Sequence, residues 1–238
     1  MTSSERFYDT IADDFDALMN PYDLERRLDV VFGDLLGGRP LSARTVLDVG
    51  CGTGAFTLAA VERGGIVTSL DIGVALLRRA RSKGAPRLIA GDACALPFPD
   101  ASFDVVLSSE CVEHTREPER AVAEMLRVLR PDGVLLLTCP NIVWRWTLPL
   151  ANALGLRSYH GLENWTSWWR LRAWVSRHGG TITRHVGVHC FPFVLPVTQP
   201  LLRVLDRLGA FGGPLYVNQA VAAVKRRLTH GNGNNDLH

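Results

Sequence analysis

Residues 46–55 read V-L-D-V-G-C-G-T-G-A. A β-branched apolar run, Thr45 to Val49, enters Gly50-Cys51-Gly52-Thr53-Gly54, and Ala55 to Glu62 then carries helical spacing. Glycine has no Cβ, so such a loop turns sharply and lets backbone approach a ligand. A loop of this kind after a first strand lies where open α/β sheets bind nucleotides. Strands and helices alternate from there. Ile66 to Leu70, Arg87 to Ala90, Phe103 to Leu107 and Val134 to Thr138 read as strands. Val74 to Arg81 and Glu117 to Leu129 read as the helices between them, with Pro118 in a first turn, where proline is tolerated. This rhythm predicts a parallel sheet covered by helices on both faces.

Before the first strand, Glu5 to Leu18 and Leu24 to Leu36 carry helical spacing, separated by a break at Asn20-Pro21. After the fifth strand the rhythm lapses. Thr166 to Arg177 reads as a helix, Thr181 to Val188 as a strand, Val197 to Leu208 as a helix and Tyr216 to Lys225 as a last strand. The expectation is one domain over 1–228, with a helical cap over 1–40 and an aromatic insert over 140–165. The polar tail 229–238 reads as disordered.

The chain has 238 residues, 26 Lys plus Arg against 24 Asp plus Glu, and a formal net charge of +2. That balance argues against a nucleic-acid binder, whose affinity rests on neutralising phosphates. The five cysteines, Cys51, Cys94, Cys111, Cys139 and Cys190, form no C-x-x-C pair, which argues against a zinc finger or a disulfide framework. A reduced, cytoplasmic setting fits. The N-terminus lacks the apolar core of a secretory signal. Val186 to Leu202 has no Lys, Arg, Asp or Glu, but Pro192, Pro196 and Pro200 interrupt it as a spanning helix.

Taken alone, the glycine loop serves two cofactors. Gly50, Gly52 and Ala55 satisfy G-x-G-x-x-G/A, and Asp71 ends the second strand, where a carboxylate accepts from ribose hydroxyls. Three features favour S-adenosylmethionine over NAD. Asp48 stands just before the glycines, where it suits an ammonium and repels a pyrophosphate. Gly91-Asp92-Ala93 follows the third strand and offers an acid and backbone amides to an adenine. No Tyr-x-x-x-Lys occurs downstream.

Residues 45–139 resemble the class I S-adenosylmethionine-dependent methyltransferases. The matching segments are VLDVGCGTG, LDIG at Leu70 to Gly73, GDACALPFPDASFDVV at Gly91 to Val106 and EMLRVLRPDGVLLLT at Glu124 to Thr138. The resemblance implies a doubly wound, Rossmann-like α/β fold whose seven-stranded, mostly parallel sheet ends in an antiparallel strand, Tyr216 to Lys225. It implies that Asp48 and Gly50 face the methionine part, with Gly52 beside them. Asp71 and Ile72 would hold the ribose, Asp92 and Ala93 the adenine, and Ser109 would stand at the cofactor.

Glu110, Glu113 and His114 follow the fourth strand at i, i+3 and i+4. On a helix they share one face. Two carboxylates and an imidazole there suit general-base work, with Glu113 and His114 as catalytic candidates, or a divalent metal such as magnesium that acidifies a phenol. The E-x-x-E-H pattern resembles the O-methyltransferases of ubiquinone biosynthesis, and that resemblance implies a metal at Glu110, Glu113 and His114. It extends to Arg27, in the place of an arginine that family uses near the cofactor.

Trp144, Trp146, Tyr159, His160, Trp165, Trp168 and Trp169 crowd the insert and the start of the helix after it, with Arg145, Arg157 and Arg170 among them. Such residues pack an insert, line an apolar acceptor pocket, stack on single-stranded nucleic acid or rest on a membrane surface. The charge balance disfavours RNA. A lid over a small apolar acceptor is the expectation, with peripheral membrane contact as a second use of the same face. His160, within the lid, is a further catalytic candidate; His185 reads as packing. The expected activity is O-methylation of a phenolic or lipid-like molecule, with C- or N-methylation and non-catalytic cofactor binding as alternatives.

Overall fold

The computed structural model describes residues 12, 15–153, 163–191, 199–206 and 212–227. A seven-stranded sheet runs β3-β2-β1-β4-β5-β7-β6. Its strands are β1 (Thr45–Val49), β2 (Ile66–Asp71), β3 (Arg87–Ala90), β4 (Phe103–Ser109), β5 (Leu129–Pro140), β6 (Gly180–Gly187) and β7 (Asn218–Lys225). β1 to β5 are mutually parallel, and β7 is antiparallel to both β5 and β6. The doubly wound sheet with an antiparallel last strand is the expected one.

Side chains alternate across a strand, and the alternation sorts the core into two layers. Leu47, Val106, Leu135, Leu137 and Val221 face α5 (Pro118–Val128) and α7 (Trp168–Arg177). Their neighbours Val46, Val105, Leu107, Leu136 and Ala222 face α3 (Ala55–Glu62) and the N-terminal helices. Central strands apolar on both faces are what a parallel sheet between helix layers requires.

The N-terminal helices are α1 (Phe15–Leu18) and α2 (Pro21–Leu28), the latter running into a wider π-helical segment, Asp29–Leu35. The helix expected from Leu24 starts three residues earlier. Pro21 takes the first turn, and the Asn20 side chain caps it by accepting from Tyr22 N at 3.0 Å. The strand expected from Val134 begins at Leu129, which pairs with Phe103 across a register shift before the ladder resumes at Val134. α4 (Val74–Ser82) follows β2; α6 (Leu148–Ala153) lies after β5, and α8 (Gln199–Asp206) after β6. Among the described residues no helix is long and apolar enough to cross a membrane.

Candidate active site

The sheet's order reverses between β1 and β4, and the loops at the carboxyl ends of the parallel strands surround a cavity of about 680 Å³. α1, α2 and the segment 163–165 close it.

One wall is the glycine loop. Gly50 has φ +73°, and a Cβ there would collide with the Cys111 side chain, which already fills the space a Cβ would need. Asp71, at the end of β2, accepts from Gly52 N at 2.7 Å through one oxygen and from Gly73 N at 2.8 Å through the other. Burial raises its carboxyl, against the pull of these amides. Asp48 is 1% exposed and accepts from Thr57 Oγ1 at 2.6 Å. Burial, and then the charge of Asp71, lift it to about 7. Ile72, Asp92, Ala93 and Gly52 line the same cavity, and the Asp92 carboxylate accepts from Cys94 N at 2.8 Å. Thr57, missed by the sequence reading, stands behind this wall and holds Asp48; a lone threonine on the apolar face of α3 was its signal.

The adjoining wall comes from the end of β4, the strand beside β1, and from α2. Ser109 hydrogen-bonds Arg27 Nη1 at 2.9 Å and exchanges a bond with Thr138 Oγ1 at 2.9 Å. Thr138 donates to Glu110 Oε1 at 2.9 Å. Glu113 is 2% exposed, and its Oε2 is buried without a hydrogen-bond partner. Burial raises both carboxyls to about 8; the neighbouring Glu113 charge adds to the effect at Glu110, and Arg27 opposes it at each. Like charges this close resist joint ionisation, so the pair keeps a proton at neutral pH.

The helical face expected for Glu110, Glu113 and His114 does not form. Glu110 has a left-handed backbone, φ +52°, and stands outside a single tight turn, Val112–His114. His114 Nε2 lies 3.8 Å from Glu113 Oε1. Among the described residues no three His, Cys, Asp or Glu side chains are grouped to hold a metal ion. The expected magnesium therefore does not fit this donor set, because Glu110 Oε1 is turned to Thr138.

The aromatic insert also divides. Trp165 lines the cavity, beside Glu163. Trp168 packs face to face on His185, with ring centroids 3.2 Å apart, which makes His185 the packing residue it was expected to be. Trp144 donates to Leu215 O, while Trp146 and Trp169 are 67% and 69% exposed. Tyr159 and His160 lie outside the described residues.

The family description "Methyltransferase domain" matches residues 47–137. The chain is 37% identical to a malonyl-[acyl-carrier protein] O-methyltransferase of Serratia marcescens over 54% of its own length and 51% of that protein, so it spans about half of that relative. It is 31% identical to an uncharacterized methyltransferase of Mycobacteroides abscessus over 80% of this chain and 69% of that one. Among solved structures, the methyltransferase in complex with the Trm112 activator of Haloferax volcanii superposes with a TM-score of 0.68 at 18% identity, covering 92% of this chain and 98% of that one.

Proposed function

This chain belongs to the class I S-adenosylmethionine-dependent methyltransferases, and from that premise we propose that it methylates a hydroxyl oxygen of a small, largely apolar acceptor. The observation that carries the reading is one cavity with two chemically different walls. One holds the glycine loop, Asp48 and Asp71; the other holds a buried glutamate, Glu113, with an oxygen that has no partner. A cavity of this size holds a cofactor and a small acceptor together.

Bound at the glycine wall, S-adenosylmethionine supplies a methyl group activated by a sulfonium. Asp71 and Ile72 hold the ribose, Asp92 and Ala93 the adenine ring, and Asp48 with Gly50 and Gly52 the ammonium end. Arg27 and Ser109 stand where the cofactor and acceptor meet; the guanidinium suits an anionic group. The acceptor hydroxyl donates to Glu113 Oε2, and His114 is the second proton acceptor in reach of that wall. The bound cofactor would supply the methyl with its sulfur as the leaving group, and Glu113 takes up the proton the acceptor hydroxyl loses. The protein's part is alignment, exclusion of water and removal of that proton. Trp165 supplies apolar surface for the acceptor. The O-methyltransferase among the relatives supports oxygen as the atom methylated.

The test is direct. Purified protein, cofactor labelled at the methyl and a panel of apolar phenols are expected to yield labelled ethers, and calorimetry to register S-adenosylhomocysteine but not NAD. Binding of NAD, or label on carbon or nitrogen alone, would overturn the oxygen reading.

The insert over 140–165 is proposed as a lid on the acceptor side, with peripheral membrane contact as a further use of its exposed Trp146 together with Trp169 at the start of α7. Limited proteolysis within 140–165 is expected to slow only when S-adenosylhomocysteine and a phenol are both present. Equal cleavage with and without ligands removes the lid.

A further inference from the structure

A buried polar chain runs away from the cavity on the side of Arg27. Asp206, at the end of α8, is 1% exposed and accepts from Tyr22 Oη at 2.7 Å and Cys190 N at 2.8 Å. His189, just after β6, lies between two acids. Its Nδ1 is 3.4 Å from Asp206 Oδ2, and its Nε2 is 2.5 Å from Asp23 Oδ1. The other oxygen of Asp23 accepts from Arg27 Nε at 2.8 Å and lies 2.7 Å from Arg27 Nη2. Arg27 in turn donates to Ser109, whose partner Thr138 holds Glu110. Seven side chains, from Asp206 to Glu110, thus connect α8 to the cavity wall through hydrogen bonds.

The charges of this chain balance only if His189 is protonated. Asp23 and Asp206 then meet Arg27 and His189. Arg26 donates to the Asp206 backbone carbonyl, not to its carboxylate, so His189 is the cation at that acid among the described residues. Burial works against the imidazolium, but the bonds to Asp206 and Asp23 outweigh it and hold His189 up to about 9. Tyr22, Cys190, Tyr216, Arg26, Glu110 and Glu113 also act on the cluster, and Arg203 lies over the Tyr22 ring. Burying four charges gains little stability over an apolar cluster of equal volume. What the arrangement secures is direction. An Arg–Asp pair on one helix turn can rotate as a unit, and His189 pins the free oxygen of Asp23. Three of the five guanidinium N–H groups are then engaged, leaving two for a ligand.

We propose that His189, clamped between Asp206 and Asp23, is a positioning residue that fixes the Arg27 guanidinium at the cavity wall and thereby sets the affinity of the site for its cofactor. The inference rests on the cofactor reading above, and a double-mutant cycle separates the two. Calorimetry with S-adenosylhomocysteine is run on the full chain, Arg27→Ala, His189→Gln and the double variant. The expected losses are roughly 30-fold for Arg27→Ala and roughly 10-fold for His189→Gln, with the double variant no weaker than Arg27→Ala alone within about 2-fold. Losses that multiply, or unchanged affinity in His189→Gln, overturn the positioning role. No binding by the unaltered protein would instead strike the cofactor reading, and this inference with it. A second measurement holds even where a variant folds poorly. The imidazole of His189, followed by NMR in the unaltered chain, is expected to titrate near 9. An ordinary histidine midpoint there means that the clamp is absent in solution, and the proposal falls.

Discussion

Replacing Asp71 by alanine is expected to weaken S-adenosylhomocysteine binding by about 3 kcal/mol, roughly 150-fold. Two losses combine. The carboxylate is the acceptor proposed for the ribose hydroxyls, and charge-assisted bonds of that kind are the stronger ones. It also receives Gly52 N and Gly73 N, so its removal strips the glycine loop of the acceptor that ties it to β2. An orphaned amide near the cofactor costs more than a lost contact, because the desolvated donor is left unpaired. Asp71→Asn is expected to fall between the two proteins, since the amide oxygen still accepts from one of the amides. Calorimetry on the three proteins decides the matter, and affinity that survives Asp71→Ala removes this residue from the cofactor site.

Glu113→Gln is expected to lower kcat by about 10²–10⁴ while S-adenosylhomocysteine affinity changes by less than about 2-fold. The size follows from its role as the proton acceptor, and the split from its place on the β4 wall rather than among the residues proposed to hold the cofactor. The pH dependence has a definite sign. A base works ionised, and burial raises this carboxyl to about 8, so the rate should fall as pH drops below that value and level off above it. Glu110 titrates with it, and the observed midpoint belongs to the pair. In the Gln variant the limb near 8 should disappear. A rate that persists in Glu113→Gln but is abolished in His114→Ala would move the base to the imidazole. If neither change slows transfer, the pair serves the fold alone.

The parts of the site that were legible in the sequence are those written in local spacing. Asp48, Asp71 and Asp92 each stand within two residues of a strand end, the glycine loop and Ala93 follow directly, and the strand ends are readable from apolar runs. Arg27 and Ser109 entered by resemblance, and the fold brings their side chains into contact at 2.9 Å, 82 residues apart in the chain. The acidic cluster shows the limit. Three residues at i, i+3 and i+4 share a face only if the backbone is helical, and the positive φ at Glu110 ends that condition. Glutamate seldom adopts such a backbone, so residue type carried no warning. The tryptophans were read as a group because they are close in sequence, but the turn after β5 and the start of α7 direct them to separate surfaces.

The sequence by itself determined the order of strands and helices, the two-layered core and the wall with the glycine loop, because each depends on periodicity or on a conformation that particular residues permit. Tertiary structure alone decided which distant side chains meet. Tyr22 and Asp206 are 184 residues apart, and His189 joins Asp23 across 166. No local preference encodes such pairs. They arise because β6, α8 and α2 converge beside the same edge of the cavity, where burial leaves each charge to find its partner inside the protein.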